Sequence, residues 1–157
     1  MRLALFEPDI PQNVGAMVRL CACLGVPIDV IEPCGFAFDL KRLRRAALDY
    51  IDHAEIARHS SWRSYCAARG GGRLVLLTTA ARTRYFDFAF RPDDTLLVGR
   101  ESVGTPEVVH EEADARLRVP LRPGLRSLNV ATAAAMVLGE ALRQTHGFPD
   151  EAPTMVA

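Results

Sequence analysis

Leu3-Ala4-Leu5-Phe6, a loop carrying Glu7 and Asp9, and then Pro11-Gln12-Asn13-Val14-Gly15-Ala16-Met17-Val18-Arg19 form the stretch on which the fold turns. An apolar run of strand length passes quickly into a helical pattern, with Val14, Met17, Val18, Cys21 and Leu24 recurring three and four residues apart. That spacing puts one helix face on a core. Asn13 is expected to cap the helix, its side-chain oxygen accepting an otherwise orphan backbone N–H. Arg19 stands at the edge of the apolar stripe, one turn after Gly15. Taken alone, Gly15 reads as a close-packing residue and Arg19 as a solvated cation. Two later segments reverse that preference.

Outward from this unit, β-rich runs over 3–6, 28–31, 54–57, 74–78, 95–98 and 116–119 alternate with helical patterns over 14–24, 40–46, 61–68, 106–110 and 130–145. The alternation predicts an α/β domain with a mainly parallel sheet flanked by helices. Residues 74–77 and 96–98 are continuously apolar, as central strands covered on both faces require. Ser60 or Ser61 is placed to cap the third helix, and Gly70-Gly71-Gly72 to end it. One domain is expected over 1–147, with 148–157 a loosely held tail. The last helix is apolar around nearly its whole circumference, Thr132 excepted. A second copy of the chain is expected to cover the side the sheet does not take, giving a homodimer, with full burial within one chain as the competing explanation.

Composition narrows the classes. Nineteen basic and nineteen acidic residues give no formal net charge, hence no global attraction to nucleic acid. The local exception is Lys41, Arg42, Arg44 and Arg45, almost contiguous. The amino terminus lacks the pattern of a signal peptide and no apolar run reaches membrane-span length, so a soluble, cytoplasmic chain is expected. Cys21, Cys23, Cys34 and Cys66 form no Cys-x-x-Cys pair, and the four histidines follow no ligand spacing. No metal is expected.

The common nucleotide and hydrolase motifs fail. Gly70-Gly71-Gly72 precedes a strand, the reverse of the dinucleotide order, and neither a P-loop nor a Gly-x-Ser-x-Gly elbow occurs. What remains lies in two loops that follow strands, where open α/β sheets bind ligands. The first is Gly99-Arg100-Glu101-Ser102-Val103-Gly104-Thr105-Pro106. Glu101 there could accept a substrate hydrogen bond or cap the helix starting at Pro106. The second is Pro120-Leu121-Arg122-Pro123-Gly124-Leu125-Arg126-Ser127-Leu128-Asn129. Ser127 and Asn129 offer caps, ligand contacts or both at the mouth of the apolar helix.

Together the segments resemble the SPOUT superfamily of RNA methyltransferases. The first motif is Glu7-Pro8-x-Ile10-Pro11-x-Asn13-x-Gly15-x-x-x-Arg19, the second Gly99-x-Glu101-x-x-Gly104-x-Pro106, and the third Val119-Pro120 followed by Arg126-Ser127-x-Asn129. Ile31-Glu32-Pro33-x-Gly35-Phe36 and the 41–46 segment are similar to the small single-domain subgroup that methylates the ribose 2′-OH of tRNA wobble nucleotide 34. Departures are Arg100 for a usual proline, Val103 for a frequent arginine, Thr132 for an asparagine and Gly139 for an aromatic residue.

The resemblance implies a trefoil knot near the carboxyl terminus and S-adenosylmethionine as cofactor. It also implies main-chain contacts to the adenosyl group from Leu77, Gly99, Val119 and Leu121, with Ser127 nearby. Arg19, Glu101, Ser127 and Asn129 are the implied catalytic residues. Lys41, Arg42, Arg44 and Arg45 would bind RNA, with Phe36, Phe38 or Tyr50 stacking on the anticodon loop of tRNA. In the related family the arginine matching Arg19 is assigned as general base. A guanidinium keeps its proton to above about pH 12, so phosphate binding and stabilisation of a developing alkoxide suit it better. A non-catalytic RNA-binding relative, an enzyme for another RNA position and a small-molecule α/β enzyme remain as competing readings.

Overall fold

β1 (Arg2–Phe6) runs through the middle of a seven-stranded sheet and hands the chain directly to α1 (Pro11–Leu24) in the computed structural model, which describes residues 1–39 and 48–150. β2 (Ile28–Ile31), a 3₁₀ turn (Leu48–His53), β3 (Ile56–His59), α2 (Trp62–Ala68) and β4 (Leu74–Leu77) follow. Then come β5 (Thr83–Arg84), a 3₁₀ turn (Tyr85–Asp87), β6 (Thr95–Val98), α3 (Glu107–Glu112), β7 (Ala115–Arg118) and α4 (Val130–Thr145). The strand order is β3-β2-β1-β6-β4-β7-β5, and each pair is parallel. The expected α/β architecture is therefore present.

Alternation along the strands builds two cores. Leu3, Leu5, Val75, Leu96 and Val98 face α1 and α4, whose Val14, Met17, Val18, Val137, Leu138 and Leu142 complete that layer. Ala4, Phe6, Leu74, Leu76 and Leu97 face the other way, onto Tyr65 of α2 and Val109 of α3. Strands buried on both faces are the reason 74–77 and 96–98 read as unbroken apolar runs.

β1 and β6 are neighbours, yet the connection from β1 leads to β2 on one side and that from β6 leads to β7 on the other. Crossovers leaving adjacent strands in opposite directions open a crevice at the strands' carboxyl ends. The loops carrying Asp9 and Glu101 lie there.

Several elements differ from expectation. α1 begins at Pro11, with Ile10 as its N-cap and no side-chain capping bond, so Asn13 lies inside the first turn and caps nothing. Proline at the first helical position needs no partner for its missing N–H. Ser61 does cap α2, accepting from the Ser64 amide. β3 starts two residues later than expected, because Ala54 bonds back to Ile51 and closes the 3₁₀ turn. β7 covers 115–118, and α3 runs over 107–112 with Pro106 at its N-cap. The exposed pair Thr83–Arg84 joins the sheet as β5 without any apolar alternation to signal it. The helix expected over 40–46 lies outside the described residues, as does the end of the tail.

α4 buries Ala134, Val137, Leu138, Ala141 and Leu142, whereas Met136 stays 41 % exposed. One chain thus covers one face of this helix only. Among the described residues no helix is long and apolar enough to cross a membrane.

Candidate active site at the carboxyl ends of the strands

A cleft of about 530 Å³ opens at the carboxyl ends of β4, β6 and β7. Its wall includes Leu77, Gly99, Val119, Leu121 and Ser127, all five of the residues implied to hold a cofactor. Asn13, Glu101 and Asn129 line it as well. Its size falls within the usual range for small-molecule pockets. Backbone packing is tight at Gly99, where an added Cβ would sit 2.9 Å from Thr105 Cγ2 and 3.1 Å from the Gly104 carbonyl carbon.

One hydrogen-bond chain ties the three sequence motifs together. Asn129 Nδ2 donates to Asn13 Oδ1 at 2.8 Å, and Asn13 Nδ2 donates to Glu101 Oε1 at 3.0 Å. Glu101 Oε2 accepts from the Asp9 amide at 3.1 Å, while Asp9 Oδ1 accepts from the Glu101 amide at 3.2 Å. Asp9 Oδ2 also accepts from the Ser102 amide and hydroxyl. Asn129 Oδ1 caps α4 by accepting from the amides of Ala131 and Thr132. Asn129 is therefore both a cap and a strut. Glu101 does not cap α3, since the N-cap there is Pro106 and makes no side-chain bond.

The two carboxyls shift in opposite directions. Burial first, and then the hydrogen bond with Asp9, raise Glu101 above the ordinary carboxyl range, against the Asn13 amide that lowers it. Hydrogen bonding to Glu101, followed by the Ser102 hydroxyl and amide, lowers Asp9 to about 2 against its own desolvation. Gly35 braces the same loop: its amide donates to the Pro8 carbonyl, and a Cβ on it would come 2.5 Å from Asp9 Cβ. Sequence patterning did not single out Asp9 as part of the site. Its place in the loop between β1 and α1, beside a topological switch, was the available signal.

Arg100, a departure from the resemblance noted above, lines the cleft but is engaged. Its Nη2 pairs with Glu7 Oε2 at 2.8 Å and its Nε donates to the Glu7 carbonyl at 3.1 Å. Glu7 itself adopts a left-handed φ of 43°, a conformation uncommon for a residue with a side chain. Arg100 thus clasps the turn that leads from β1 toward Asp9.

Arg19 is the residue not brought to the cleft within one chain. It is exposed on α1 and does not belong to the cleft lining. Six residues separate it from Asn13, about 9 Å along the axis and on a different face. Its guanidinium lies over the Tyr50 ring, 4.6 Å from the centroid, within cation–π range. Phe36 and Phe38 stack on one another, and Arg58 lies over Phe38. Lys41, Arg42, Arg44 and Arg45 lie outside the described residues. Among the described residues no cluster of ligating side chains could hold a metal.

Known proteins give this geometry its context. A protein named tRNA (cytidine(34)-2′-O)-methyltransferase from Beijerinckia indica is 60 % identical over 144 residues, covering 90 % of each chain. A solved structure concerned with 2-OH methylation of C/U34 on tRNA superposes with a TM-score of 0.87 at 37 % identity, covering 91 % of this chain and 94 % of the other. The SpoU methyltransferase AviRb from Streptomyces viridochromogenes, solved in complex with AdoMet, matches at 26 % identity and a TM-score of 0.79. That match covers 92 % of this chain and 60 % of AviRb. The sequence model described as the SpoU rRNA Methylase family matches residues 1–139. Its span takes in all three motif loops and reaches into the last helix, and the chain belongs to that family.

Proposed function

We propose that this chain transfers a methyl group from S-adenosylmethionine to the ribose 2′-OH of nucleotide 34, cytidine or uridine, in the anticodon loop of tRNA. The observation that carries this reading is the Asn129–Asn13–Glu101–Asp9 chain, which joins three loops distant in sequence around one cleft. Such a lattice fixes loop positions before any ligand arrives, and preorganisation of this kind lowers the cost of orienting reactants.

The cleft suits the cofactor. Leu77, Val119 and Leu121 give apolar walls, and peptide groups beside them can meet the edge of a flat, apolar-faced adenine. When bound, the cofactor supplies an activated methyl on a sulfonium. Gly99 and Ser127 bring backbone and hydroxyl close to it, while Glu101, Asn13 and Asn129 position the loops. The carboxy-terminal trefoil knot of the superfamily belongs to this reading, with the segment between β7 and α4 forming the floor of the cleft.

The target hydroxyl becomes a competent nucleophile only as its proton leaves, so positive charge must meet the developing alkoxide. Arg19 serves that role and binds the adjacent phosphate, as a bidentate donor rather than as a base. Because Arg19 is remote from the cleft of its own chain, it works at the cleft of a second copy. The half-covered α4 face, with Met136 exposed, is where that copy packs, and the working unit is a homodimer. Lys41, Arg42, Arg44 and Arg45 hold the anticodon arm, and the enzyme acts in the cytoplasm, where its substrate is.

The deciding experiment incubates the protein with methyl-labelled S-adenosylmethionine and total tRNA and maps the modified nucleotide. Label at the 2′-oxygen of nucleotide 34 is expected; label on a base, or on a ribose outside the anticodon loop, overturns the assignment. Arg19→Lys should lose at least tenfold in turnover, about 1.4 kcal/mol of barrier, and near-normal turnover would defeat a guanidinium-specific role. Mixing Arg19→Ala and Asn129→Ala chains should restore activity that neither has alone.

A further inference from the structure

The arginines among the described residues either have a carboxylate partner or lack one. Arg2, Arg58, Arg69, Arg73, Arg84, Arg100 and Arg143 each have a carboxylate partner. Arg19, Arg63, Arg82 and Arg91 are exposed, scattered along the chain and without an ion pair among the described residues, and so are Arg116, Arg118, Arg122 and Arg126. The last four occupy one short segment, and no Asp or Glu occurs anywhere from residue 116 to residue 139. In a chain with no formal net charge, this concentrates unneutralised cations in one place.

That place adjoins the cleft. Arg118 lines it, and Arg122 and Arg126 directly follow or precede the lining residues Leu121 and Ser127. Arg116 and Arg118 project from the same face of β7, about 6.6 Å apart along the strand. Leu117 between them is fully buried toward α1 and α4. The arginines therefore face away from the exposed side of α4, and a second chain packed there leaves them open. Pro120, Pro123 and a left-handed Gly124 (φ 88°) restrict the loop that carries the other two. Leu125, 65 % exposed, stands between Arg122 and Arg126, and Val103, 77 % exposed, lies on the cleft wall. Forked guanidinium donors on a restrained loop, interleaved with exposed apolar groups, match a strand of phosphates with sugars and bases between them.

We propose that Arg116, Arg118, Arg122 and Arg126 form a second RNA-binding surface, a phosphodiester clamp at the lip of the cofactor cleft and distinct from the 41–45 cluster. It rests on the reading of this chain as an RNA methyltransferase. The clamp grips the backbone flanking the target nucleotide and sets its ribose over the cleft. Its ligand is the charge of the RNA backbone, so its contribution is independent of base identity.

The test measures binding of full-length tRNA over a range of salt concentrations, using the intact protein, Arg116→Ala and the double variant Arg122→Ala/Arg126→Ala. Arg118 is left in place because it lines the cleft. The double variant should bind tRNA at least tenfold more weakly at low salt. Its dependence of log affinity on log salt should be shallower by about 0.7 for each phosphate it no longer neutralises. Affinity for S-adenosylmethionine alone should stay within twofold, which also shows that the variants fold. The corresponding lysine variants should recover most of the salt slope. Unchanged tRNA affinity and slope in the alanine variants, with a parent that binds and methylates tRNA, overturns the clamp and leaves the function standing. A parent that neither binds the cofactor nor methylates tRNA overturns the functional reading first, and the clamp with it.

Discussion

The two ends of the sheet are built from similar residues and use them differently, although arginine–carboxylate pairs such as Arg100–Glu7 occur at the carboxyl end too. At the amino end, arginines and aspartates neutralise each other. Arg2 makes a forked contact with Asp29, which also bonds His59, and Arg73 makes one with the fully buried Asp94. At the carboxyl end, Asp9 and Glu101 are satisfied by amides, a hydroxyl and Asn13, and Arg118, Arg122 and Arg126 have no carboxylate partner among the described residues. Both ends have a cavity, the amino-end one about 360 Å³. Cavity alone does not separate them. The difference lies in where unpaired charge gathers, and Arg118, Arg122 and Arg126 gather it beside the carboxyl-end cleft.

The largest expected effect tests the closed end. Asp94→Ala removes the acceptor of two Arg73 bonds and of the Arg91 amide. Breaking a buried pair by removing one partner costs about 3–5 kcal/mol. The lower end applies here, since Arg73 is 23 % exposed and can rehydrate. Urea denaturation should show the loss, while calorimetry on the folded fraction should find unchanged affinity for S-adenosylmethionine. A weakened cofactor affinity would erase the distinction between the two ends.

A smaller loss of stability with a larger loss of function is expected at the open end. Asn129→Ala deletes a cap and the bond to Asn13, costing about 1 kcal/mol of stability and at least tenfold in cofactor affinity. Asn129→Ser keeps capping ability but is too short to reach Asn13. It should recover the denaturation midpoint and not the affinity. Recovery of both would reduce Asn129 to a cap.

The smallest effect sharpens the role of the carboxyl pair. Asp9 is lowered to about 2, so its contribution is complete above its unfolded value near pH 4 and lost as pH falls through 2. Glu101 is raised, so its contribution is complete below its unfolded value and lost as pH rises through the folded one. Glu101→Gln mimics the neutral acid. Its stability relative to the parent should therefore improve as pH increases from about 4 to neutrality, measured by urea midpoints across that range. A difference independent of pH would show that the two carboxyls do not titrate against each other.

Much of the fold was legible from local pattern, and for a physical reason. Strand and helix periods are properties of neighbouring residues, so β2, β6 and α4 were read with their observed bounds. β5 was not, because two exposed residues joined to an edge carry no apolar period. At the site, both loops that line the cleft were singled out because glycine, proline and lone polar residues following a strand are local signals. Asn13 was placed on the right helix and misread as its cap, since its partners Glu101 and Asn129 lie 88 and 116 residues away.

The sequence by itself determined the parallel α/β layering, the three motif loops and, through their resemblance, the family. These follow from periodicity and from residue identities in fixed order. Tertiary structure alone decided which polar groups meet. It spent Arg100 on Glu7 and brought Asp9 against Glu101. It also left Arg19 outside its own cleft and Arg116 to Arg126 without counter-charges among the described residues. A side chain's hydrogen bonds and ion pairs depend on distances between segments remote in the chain, and these exist only once the sheet has assembled.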